Sequence, residues 1–435
     1  MSKALFENCN IKKADILANT DGLKISLKNA PEVQYSESMF TDTIEVDLIV
    51  GNIAGGVRGK TLMEGLPLVG TEDFNLILED GSKNTVEVNL NVNKVTPIRK
   101  DTQQETIALR LTSEEFIRNE EGDAAVKKRY DGKISQHVEK ILTDNLATEK
   151  DLFIDETSNN YNFIGNIRKP IYTINWLAKK CIPSVDGKRG ETAGYMFFET
   201  ADGFHFKSID SLFAQKHIKS YILTDTAESD PPLGYDGKII KMEVDNRFIA
   251  NQKLRMGAYN TKLIVFDPFN CQYNVIEKSA FDSEEGTTHA GDELPVINDK
   301  FNVKSTRTTY MLKDTGTLPT GDVKEQVKKN EEEAFEVESI LNQAIRRYNQ
   351  FSIGSVEVDI APDFSLHVGD CIFIDSPNTG SDKQETDQHI GGKYLIAVLK
   401  HAIRSGGKGI TKLGLVRDSF GRAGKPHNGS TLEAN

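Results

Sequence analysis

The residues from Ala54 to Thr61 (AGGVRGKT) have the types and the spacing of a phosphate-binding loop. In such a loop, backbone amides and a lysine cradle the phosphates of a nucleotide, and a hydroxyl group reaches magnesium. Lys60 and Thr61 would fill these two roles, and Asp267, after an apolar run, would supply an acid for the metal. A nucleotide hydrolase is therefore one hypothesis for this chain.

The sequence that follows the loop disfavours that hypothesis. A phosphate loop leads into a helix whose N-terminus faces the phosphates. Here Gly65 and Pro67 follow Thr61 too closely for a stable helix. The alternation of strands and helices that is typical of a parallel sheet is missing as well. The better interpretation is a glycine-rich loop between two strands.

Other residues that carry chemistry form no recognisable constellation. The eight histidines lack metal-ligand spacing, although Asp387 and His389 could hold a cation in what is better interpreted as a solvated loop. Paired carboxylates for glycoside hydrolysis stay an open alternative, because 65 acidic residues offer many pairs and none stands out. We expect no enzyme activity, no catalytic, cofactor-binding or metal-binding residues, and no cofactor.

The cysteines predict neither a disulfide framework nor a zinc site. They lie about a hundred residues apart with no C-x-x-C pair, which favours buried thiols made in a reducing cytoplasm. These residues are Cys9, Cys181, Cys271 and Cys371.

The composition is that of an ordinary folded protein with an acidic balance. The 435 residues include 53 Lys and Arg against 65 Asp and Glu, a net charge of −12, which disfavours nucleic acid as a bulk partner. No apolar run is long enough to span a membrane, and the N-terminus lacks the pattern of a signal peptide. Residues 391–435 are basic; solvated lysines are the favoured interpretation, and self-association or an acidic partner is the alternative.

Alternation of apolar and polar residues predicts that the chain opens with a β unit over residues 1–112. Five or more short strands joined by turns favour an antiparallel sheet that is closed or nearly closed on itself. The predicted strands lie at 23–27, 44–50, 74–78, 86–92 and 107–111.

An α+β unit is predicted over residues 113–212. A helix-start signal stands at 112–115, apolar residues recur at helical spacing over 134–146, and Pro170 opens a further helix. A hairpin is expected at 195–206.

The β pattern returns at 218–223 and again beyond residue 350, so a second β unit is split across 213–240 and 350–420. A mixed region at 241–349 interrupts it and ends in a long helix predicted over 323–351. VEVNL at 86–90 and VEVDI at 356–360 hint weakly at a duplication.

Several segments together resemble the central baseplate hub protein of contractile-tailed, T-even-type bacteriophages and its relatives in marine phages. They occur in the order that this family uses, and the resemblance depends on their combination because none is a catalytic signature. The segments are 60–72 (KTLMEGLPLVGTE), 130–142 (YDGKISQHVEKIL), 195–212 (YMFFETADGFHFKSIDSL), 366–374 (LHVGDCIFI) and 390–396 (IGGKYLI) with His401.

The resemblance implies an α+β, multidomain fold in which two similar antiparallel β-barrel "tube" domains carry inserted α+β domains. The domains expected on this chain are a first tube domain at 1–112, an inserted α+β domain at 113–212, a second tube domain split over 213–240 and 350–420, an inserted mixed domain at 241–349, and a flexible tail at 421–435.

The resemblance also implies a structural virion protein: a homotrimeric baseplate hub whose pseudo-sixfold ring joins the sixfold tail tube to the threefold central spike. The implied partners are the central spike (cell-puncturing) protein, the tail-tube or tube-initiator protein, baseplate wedge proteins, and DNA that passes through the ring without sequence-specific binding. Assembly is expected in the host cytoplasm, before the protein resides in the tail baseplate of the virion.

Two alternatives remain. One is a P-loop-type or tail-associated hydrolase that uses Lys60 and Thr61. The other, less favoured, is a host-surface adhesin, for which the isolated Trp176 offers little support.

Overall fold

The computed structural model describes residues 8–421 with internal gaps. The residues outside the description are 1–7, 54–55, 101–103, 186–187, 191, 225–229, 247–248, 269–270, 281–286, 292–293, 296, 303–306, 315, 318–320, 326–327, 329–336, 378–386, 388–389, 405 and 422–435. The tail predicted at 421–435 therefore falls almost wholly outside the described residues. Most of residues 323–336, the first part of the predicted long helix, also lies outside them.

The first part of the chain is built mainly of strands. Its elements are β1 (Asn10–Leu17), β2 (Lys24–Ser26), β3 (Glu32–Ser38), β4 (Glu45–Ile53), α1 (Leu62–Gly65), β5 (Asp73–Glu79), β6 (Thr85–Lys100) and β7 (Gln104–Thr112). The predicted strands are confirmed here, and β1 and β3 are additional.

A helical and β-sheet region follows. Its elements are α2 (Glu114–Arg118), β8 (Arg129–Tyr130), α3 (Ile134–Lys140), a π-helical turn (Ile141–Asn145), β9 (Asp151–Ile154), β10 (Phe163–Ile164), α4 (Pro170–Ala178), β11 (Ser184–Val185), β12 (Lys188–Arg189), β13 (Tyr195–Thr200), β14 (Gly203–Ser208) and α5 (Ile209–Ala214). The expected hairpin is β13–β14, and Pro170 opens α4 as predicted.

The last part begins and ends with strands. Its elements are β15 (Lys219–Leu223), β16 (Gly237–Asn246), α6 (Ala250–Met256), β17 (Asn260–Asp267), β18 (Gln272–Ser279), α7 (Asp299–Asn302), β19 (Arg307–Leu312), α8 (Val337–Gln350), β20 (Gly354–Ile360), β21 (Cys371–Asp375), β22 (Gly392–Arg404) and β23 (Lys408–Arg417). The long helix predicted over 323–351 corresponds, in its described part, chiefly to α8.

The first β unit is a six-stranded antiparallel sheet with the order β1-β5-β6-β7-β4-β3, and β2 lies outside β1. Its strands form because apolar residues alternate with polar ones, so that each strand buries one face. In β6, for example, Val86, Val88, Leu90 and Val92 are buried. Among the described residues β1 and β3 do not pair, so this sheet stays open.

The second β unit is a closed six-stranded barrel. Its strands run β15-β16-β20-β23-β22-β21, and β21 pairs with β15 to complete the circle. One strand departs from the expected antiparallel barrel, because β15 is parallel to both of its neighbours. The other four pairings are antiparallel.

The two β units share one strand order. If the six strands of each unit are lettered a to f along the chain, leaving out β2, both units have the order a-d-e-f-c-b. Strand a is antiparallel to d in the first unit and parallel to d in the second. The duplication suggested by VEVNL and VEVDI matches the wrong strands, because the first lies in strand e (β6) and the second in strand c (β20).

The two β units are joined into one continuous 13-stranded sheet. β3 of the first unit pairs with β22 of the second along seven residue pairs, from Val398 with Ser38 to Arg404 with Glu32. Buried side chains of both units also form a single apolar cluster. The region between the units has a core of its own around α3, α4 and the hairpin β13–β14. Among the described helices, none is long and apolar enough to cross a membrane.

One glycine allows the hairpin β13–β14 to pack tightly. Gly203 has φ of 145°, and a Cβ atom there would clash with the carbonyl oxygen of Asp151 in the neighbouring β9. Gly406 also has a positive φ, of 92°, but open space surrounds its Cα.

We therefore predict different costs for alanine at these two glycines. Gly203→Ala should lower the free energy of unfolding by about 3 kcal/mol, because it adds a steric clash to backbone strain. Gly406→Ala, the matched control, should cost about 1 kcal/mol from backbone strain alone. Urea unfolding of both variants measures the difference, and equal costs would contradict the close contact between β14 and β9.

Candidate functional site

The junction of the two β units is organised around one buried carboxylate. β3 directs Val33, Tyr35 and Glu37 inward, so that Glu37 occupies a position where an apolar side chain is expected. Glu37 is fully buried. It accepts hydrogen bonds from the Tyr35 hydroxyl (2.6 Å) and from the backbone N–H of Ala201 (3.0 Å) in the hairpin turn.

The second unit supplies the remaining partners of Glu37. The Nδ1 atom of His367 lies 3.0 Å from one carboxylate oxygen, and the backbone N–H of Val368 donates to the other at 2.9 Å. One carboxylate thus links the first sheet, the β13–β14 hairpin and the barrel. We call Glu37, His367, Tyr35, Ala201 and Val368 the carboxylate junction.

The carboxylate junction is a buried ion pair. Burial alone raises the pKa of the Glu37 carboxyl, but the hydrogen bond and charge of His367, with the other donors, hold that pKa below its ordinary value. Burial lowers the pKa of His367, but the adjacent Glu37 carboxylate outweighs this effect and raises it to about 9. Both groups are therefore charged near neutral pH.

Two further histidines lie beside the junction in aromatic surroundings. His401 stacks on Tyr35 and lies against Phe364, with ring centroids 5.8 and 4.5 Å apart. His205 stacks between Phe153 and Phe198, at 4.7 and 4.9 Å. Burial lowers the pKa of each imidazole to about 4, so both are neutral at pH 7.

A second cluster connects the first sheet to the region between the two β units, built around α3, α4 and the hairpin β13–β14, which we call the middle region. Lys150 Nζ lies 2.7 Å from Glu115 and 2.6 Å from Glu199, both of which are buried. Glu199 in turn accepts the backbone N–H of Ile44 at 3.1 Å, just before β4. This contact fixes the hairpin β13–β14 to the first sheet.

A third cluster ties α8 to the end of the barrel. Arg347 donates to Asp418 at 2.5 Å and to Asp210 at 3.0 Å. Asp418, directly after β23, also lies 2.9 Å from His289 Nδ1. Burial alone would raise the pKa of Asp418, but Arg347 and His289 hold it well below its usual range. The cluster brings together α5, α8 and the C-terminal end of the barrel.

These clusters fix parts of the protein relative to one another. Their charged groups are buried or half-buried and are paired with groups from different segments, which specifies one arrangement of those segments. Among the described residues, no group of three or more His, Cys, Asp or Glu is placed to hold a metal ion.

The phosphate-loop residues do not form a nucleotide site in the described part of the loop. Lys60 pairs with Val57 across a tight turn, and Arg58 in that turn forms an ion pair with Asp21 at 2.6 Å. Thr61 caps α1, a helix of only four residues that ends at Gly65. Asp267, the predicted metal acid, lies at the end of β17 in another sheet, where it pairs with Lys313.

The predictions for a cation at Asp387 and His389 and for four buried thiols are compared with the structure next. Asp387 lies in a turn in which its side chain accepts the backbone N–H of Ile390, and His389 lies outside the described residues. The expectation of four buried thiols is wrong for Cys271, which is exposed in the turn between β17 and β18; the other three cysteines are buried.

Sequence reasoning missed Glu37 and His367 as partners. The available signal was the charge of Glu37 at the third inward position after Val33 and Tyr35, which interrupts an otherwise apolar face.

The fold is similar to the folds of two solved tail proteins. The tail protein from Neisseria meningitidis MC58 superposes with a TM-score of 0.51 at 9% identity, over 94% of this chain and 97% of that one. The 43 kDa tail protein of prophage MuSo2 from Shewanella oneidensis gives 0.51 at 11% identity, over 94% and 100%. Comparison of the sequence with protein-family models and with curated proteins finds no match.

We predict that Glu37→Gln destabilises the protein by about 3 kcal/mol, because the amide keeps the shape but leaves the buried His367 charge without its partner. The pKa of His367 should fall from about 9, because the removed Glu37 charge is the main group that raises it. Chemical unfolding and NMR titration measure the two effects. Asp202→Asn is the control, because Asp202 is 62% exposed and 3.8 Å from His367, and it should cost about 0.5 kcal/mol or less.

A pH dependence follows from His205 and His401. The unfolded chain protonates them near pH 6.5 and the folded chain only near pH 4, so their stabilising effect is complete above pH 6.5 and declines as the pH falls toward 4. Each contributes a slope of up to about 1.4 kcal/mol per pH unit. His401→Asn should remove its share of this slope in urea unfolding between pH 6.5 and 4; an unchanged slope would contradict the assignment.

The stability that His367 contributes changes with pH in the opposite direction to that of His205 and His401. Because its pKa is raised in the folded state, its contribution is complete below pH 6.5 and is lost as the pH rises through about 9.

Proposed function

We propose that this protein is a structural component of a phage tail, and specifically a homotrimeric baseplate hub that joins the tail tube to a central spike. The observation that carries the proposal is the shared strand order of the two β units. Three copies of a chain with two like units place six like units around one ring. Such a ring can match a sixfold tube on one side and a threefold spike on the other.

The rigid connection between the two β units supports this role. A coupling ring must hold its units at fixed positions. Here the continuous β3–β22 pairing joins them through the main chain, and the carboxylate junction joins them through side chains. The proposed role is mechanical and requires no catalytic group.

An exposed apolar sheet face supports contact with a neighbouring subunit. In the sheet β18-β17-β19, one face carries exposed apolar side chains on all three strands, and both outer strands have a free edge among the described residues. Exposed apolar surface of this kind marks interaction sites, and open strand edges favour pairing with another chain. The exposed side chains are Phe266, Tyr273, Val275, Tyr310 and Leu312.

The strand order also supports the proposed domain division. The tube domains at 1–112 and at 213–240 with 350–420 contain the strands of the two β units, except that β16 continues to Asn246. The inserted domains at 113–212 and 241–349 contain the remaining sheets.

The proposed partners are the spike protein, the tail-tube or tube-initiator protein and baseplate wedge proteins, with DNA passing through the ring. The proposed location is the baseplate of the virion, after assembly in the host cytoplasm. A nucleotide hydrolase is not favoured. Lys60 closes a tight turn with Val57, and Thr61 caps a helix of only one turn, so the helix that a phosphate loop requires is missing here.

We predict that the purified protein is a trimer. Three chains of 48.4 kDa give about 145 kDa, which light scattering coupled to size exclusion can measure. Tyr310→Glu should shift the mass toward one chain, because it places a charge on the apolar sheet face. Val69→Glu, at an exposed apolar residue outside that sheet, is the control and should leave the trimer intact. A wild-type monomer at micromolar concentration would refute the hub proposal.

A further inference from the structure

The middle region contains an aromatic pocket that the proposed function does not explain. It is a cavity of about 290 Å³ between β10, α4 and the residues Asp314, Gly316 and Thr317. The rings of Tyr161, Phe163 and Trp176 line it and contact one another at centroid distances of 5.5 to 6.2 Å. This volume is at the lower limit for small-molecule sites, so it suits one or two side chains of a peptide.

The pocket wall is firmly built. Asp314 accepts the Tyr161 hydroxyl at 2.9 Å and pairs with Lys180 at 2.7 Å. Thr317 donates its backbone N–H to the carbonyl oxygen of Asn162 at 2.8 Å, which holds Thr317 beside the start of β10. The cavity is therefore already formed without an occupant.

Arg168 at the pocket has unused donors. Its guanidinium stacks over Tyr172 and Trp176, with the central carbon 5.5 and 5.4 Å from the ring centroids. In the described part of the chain, no carboxylate lies within ion-pair distance of this guanidinium. A guanidinium stacked on a ring keeps its in-plane N–H groups available for a carboxylate.

The rim beside Arg168 is apolar and strained. Ile164, Ile167 and Tyr172 are exposed, and Ile167 is 73% exposed at the tip of a tight turn. Ile167 has φ of 57°, a left-handed conformation that is unfavourable for a β-branched residue. Strained conformations of this kind cluster at functional sites, where the strain holds a side chain in position.

The chain around the pocket is strongly basic. Residues 127–133 and 168–180 lie side by side, because β8 pairs with β10 and Val126 pairs with Arg168. Together these two segments contain eight Lys or Arg and one acidic residue, in a chain whose net charge is −12. Five of the eight are paired with carboxylates, whereas Lys128, Arg168 and Lys179 have no ion pair among the described residues. These three cations favour an acidic ligand.

We propose that this pocket binds an acidic peptide segment of a partner protein. An apolar side chain of the segment enters the cavity against Trp176 and Tyr161, and a neighbouring carboxylate pairs with Arg168. Tryptophan, tyrosine and arginine in a partly enclosed site are the residues that dominate binding energy at protein interfaces. The proposal does not depend on the trimeric hub.

The test uses the full chain and the emission of Trp176, the only tryptophan. The probes are the blocked pentapeptide Asp-Phe-Asp-Leu-Glu and its neutral counterpart Asn-Phe-Asn-Leu-Gln. The acidic peptide should change Trp176 emission saturably, and the neutral peptide should bind at least tenfold more weakly. Arg168→Glu should weaken binding of the acidic peptide at least tenfold, since it replaces attraction by repulsion.

Two more variants separate binding from folding. Arg404→Glu reverses an exposed arginine at the end of β22 and should bind the acidic peptide within twofold of wild type. Ile167→Gly should relieve strain, leaving the melting temperature equal or higher while affinity falls.

Several results would overturn the proposal: no change of Trp176 emission at millimolar peptide, equal binding of both peptides, or wild-type affinity in Arg168→Glu. An equal response to a short DNA duplex would instead identify a phosphate site. A change of molecular mass in Arg168→Glu would identify another copy of the chain as the occupant. The hub proposal is judged separately, by the mass of the wild-type protein.

Discussion

The arrangement of the two β units depends on the Glu37 carboxylate. A charged group with no exposure is unfavourable unless hydrogen bonds and an opposite charge compensate for its lost hydration. Its four partners come from β3, from the hairpin turn and from the segment before β21. The carboxylate is therefore satisfied only when all three parts are assembled, which selects this arrangement over other packings of the same apolar faces.

Buried ion pairs also connect other parts of the protein. Lys150 joins α2 to the hairpin β13–β14 through two buried glutamates, and Glu199 links that hairpin to the first sheet. Arg347 joins α8 to α5 through Asp210 and to the end of the barrel through Asp418. Apolar packing supplies most of the driving force within each core. The buried ion pairs between the parts supply geometric specificity, because a charge accepts few alternative positions. A protein of this construction is suited to holding its parts in place.

Much of the fold could be predicted from the sequence, and the exceptions have physical causes. The strand β6 was evident because Val86, Val88, Leu90 and Val92 all point inward. β3 was missed because its third inward position is the charged Glu37. The parallel direction of β15 could not be predicted, since the alternation of side chains is the same in both directions. The fold similarity to solved tail proteins and the proposed hub therefore depend on the order of elements more than on any motif.

The aromatic pocket shows a different limit of sequence reasoning. Trp176 is isolated in the sequence, but the fold brings Tyr161 and Phe163 to it from another strand and loop. Likewise, Lys60 and Thr61 match a phosphate loop by spacing, whereas the short helix after them lacks the required geometry. Residue types suggest chemistry, and only the surrounding elements decide whether that chemistry is available.

The pairing of β3 with β22 has a consequence for synthesis on the ribosome. Gln34 and Lys400, which meet across this pairing, are 366 residues apart in the chain. β3 therefore leaves the ribosome long before β22, and one of its edges stays uncovered until β22 has emerged. An unpaired strand edge can pair with another chain and so promote aggregation. The nascent protein is thus vulnerable to aggregation until β22 has emerged, and slow elongation would extend that period.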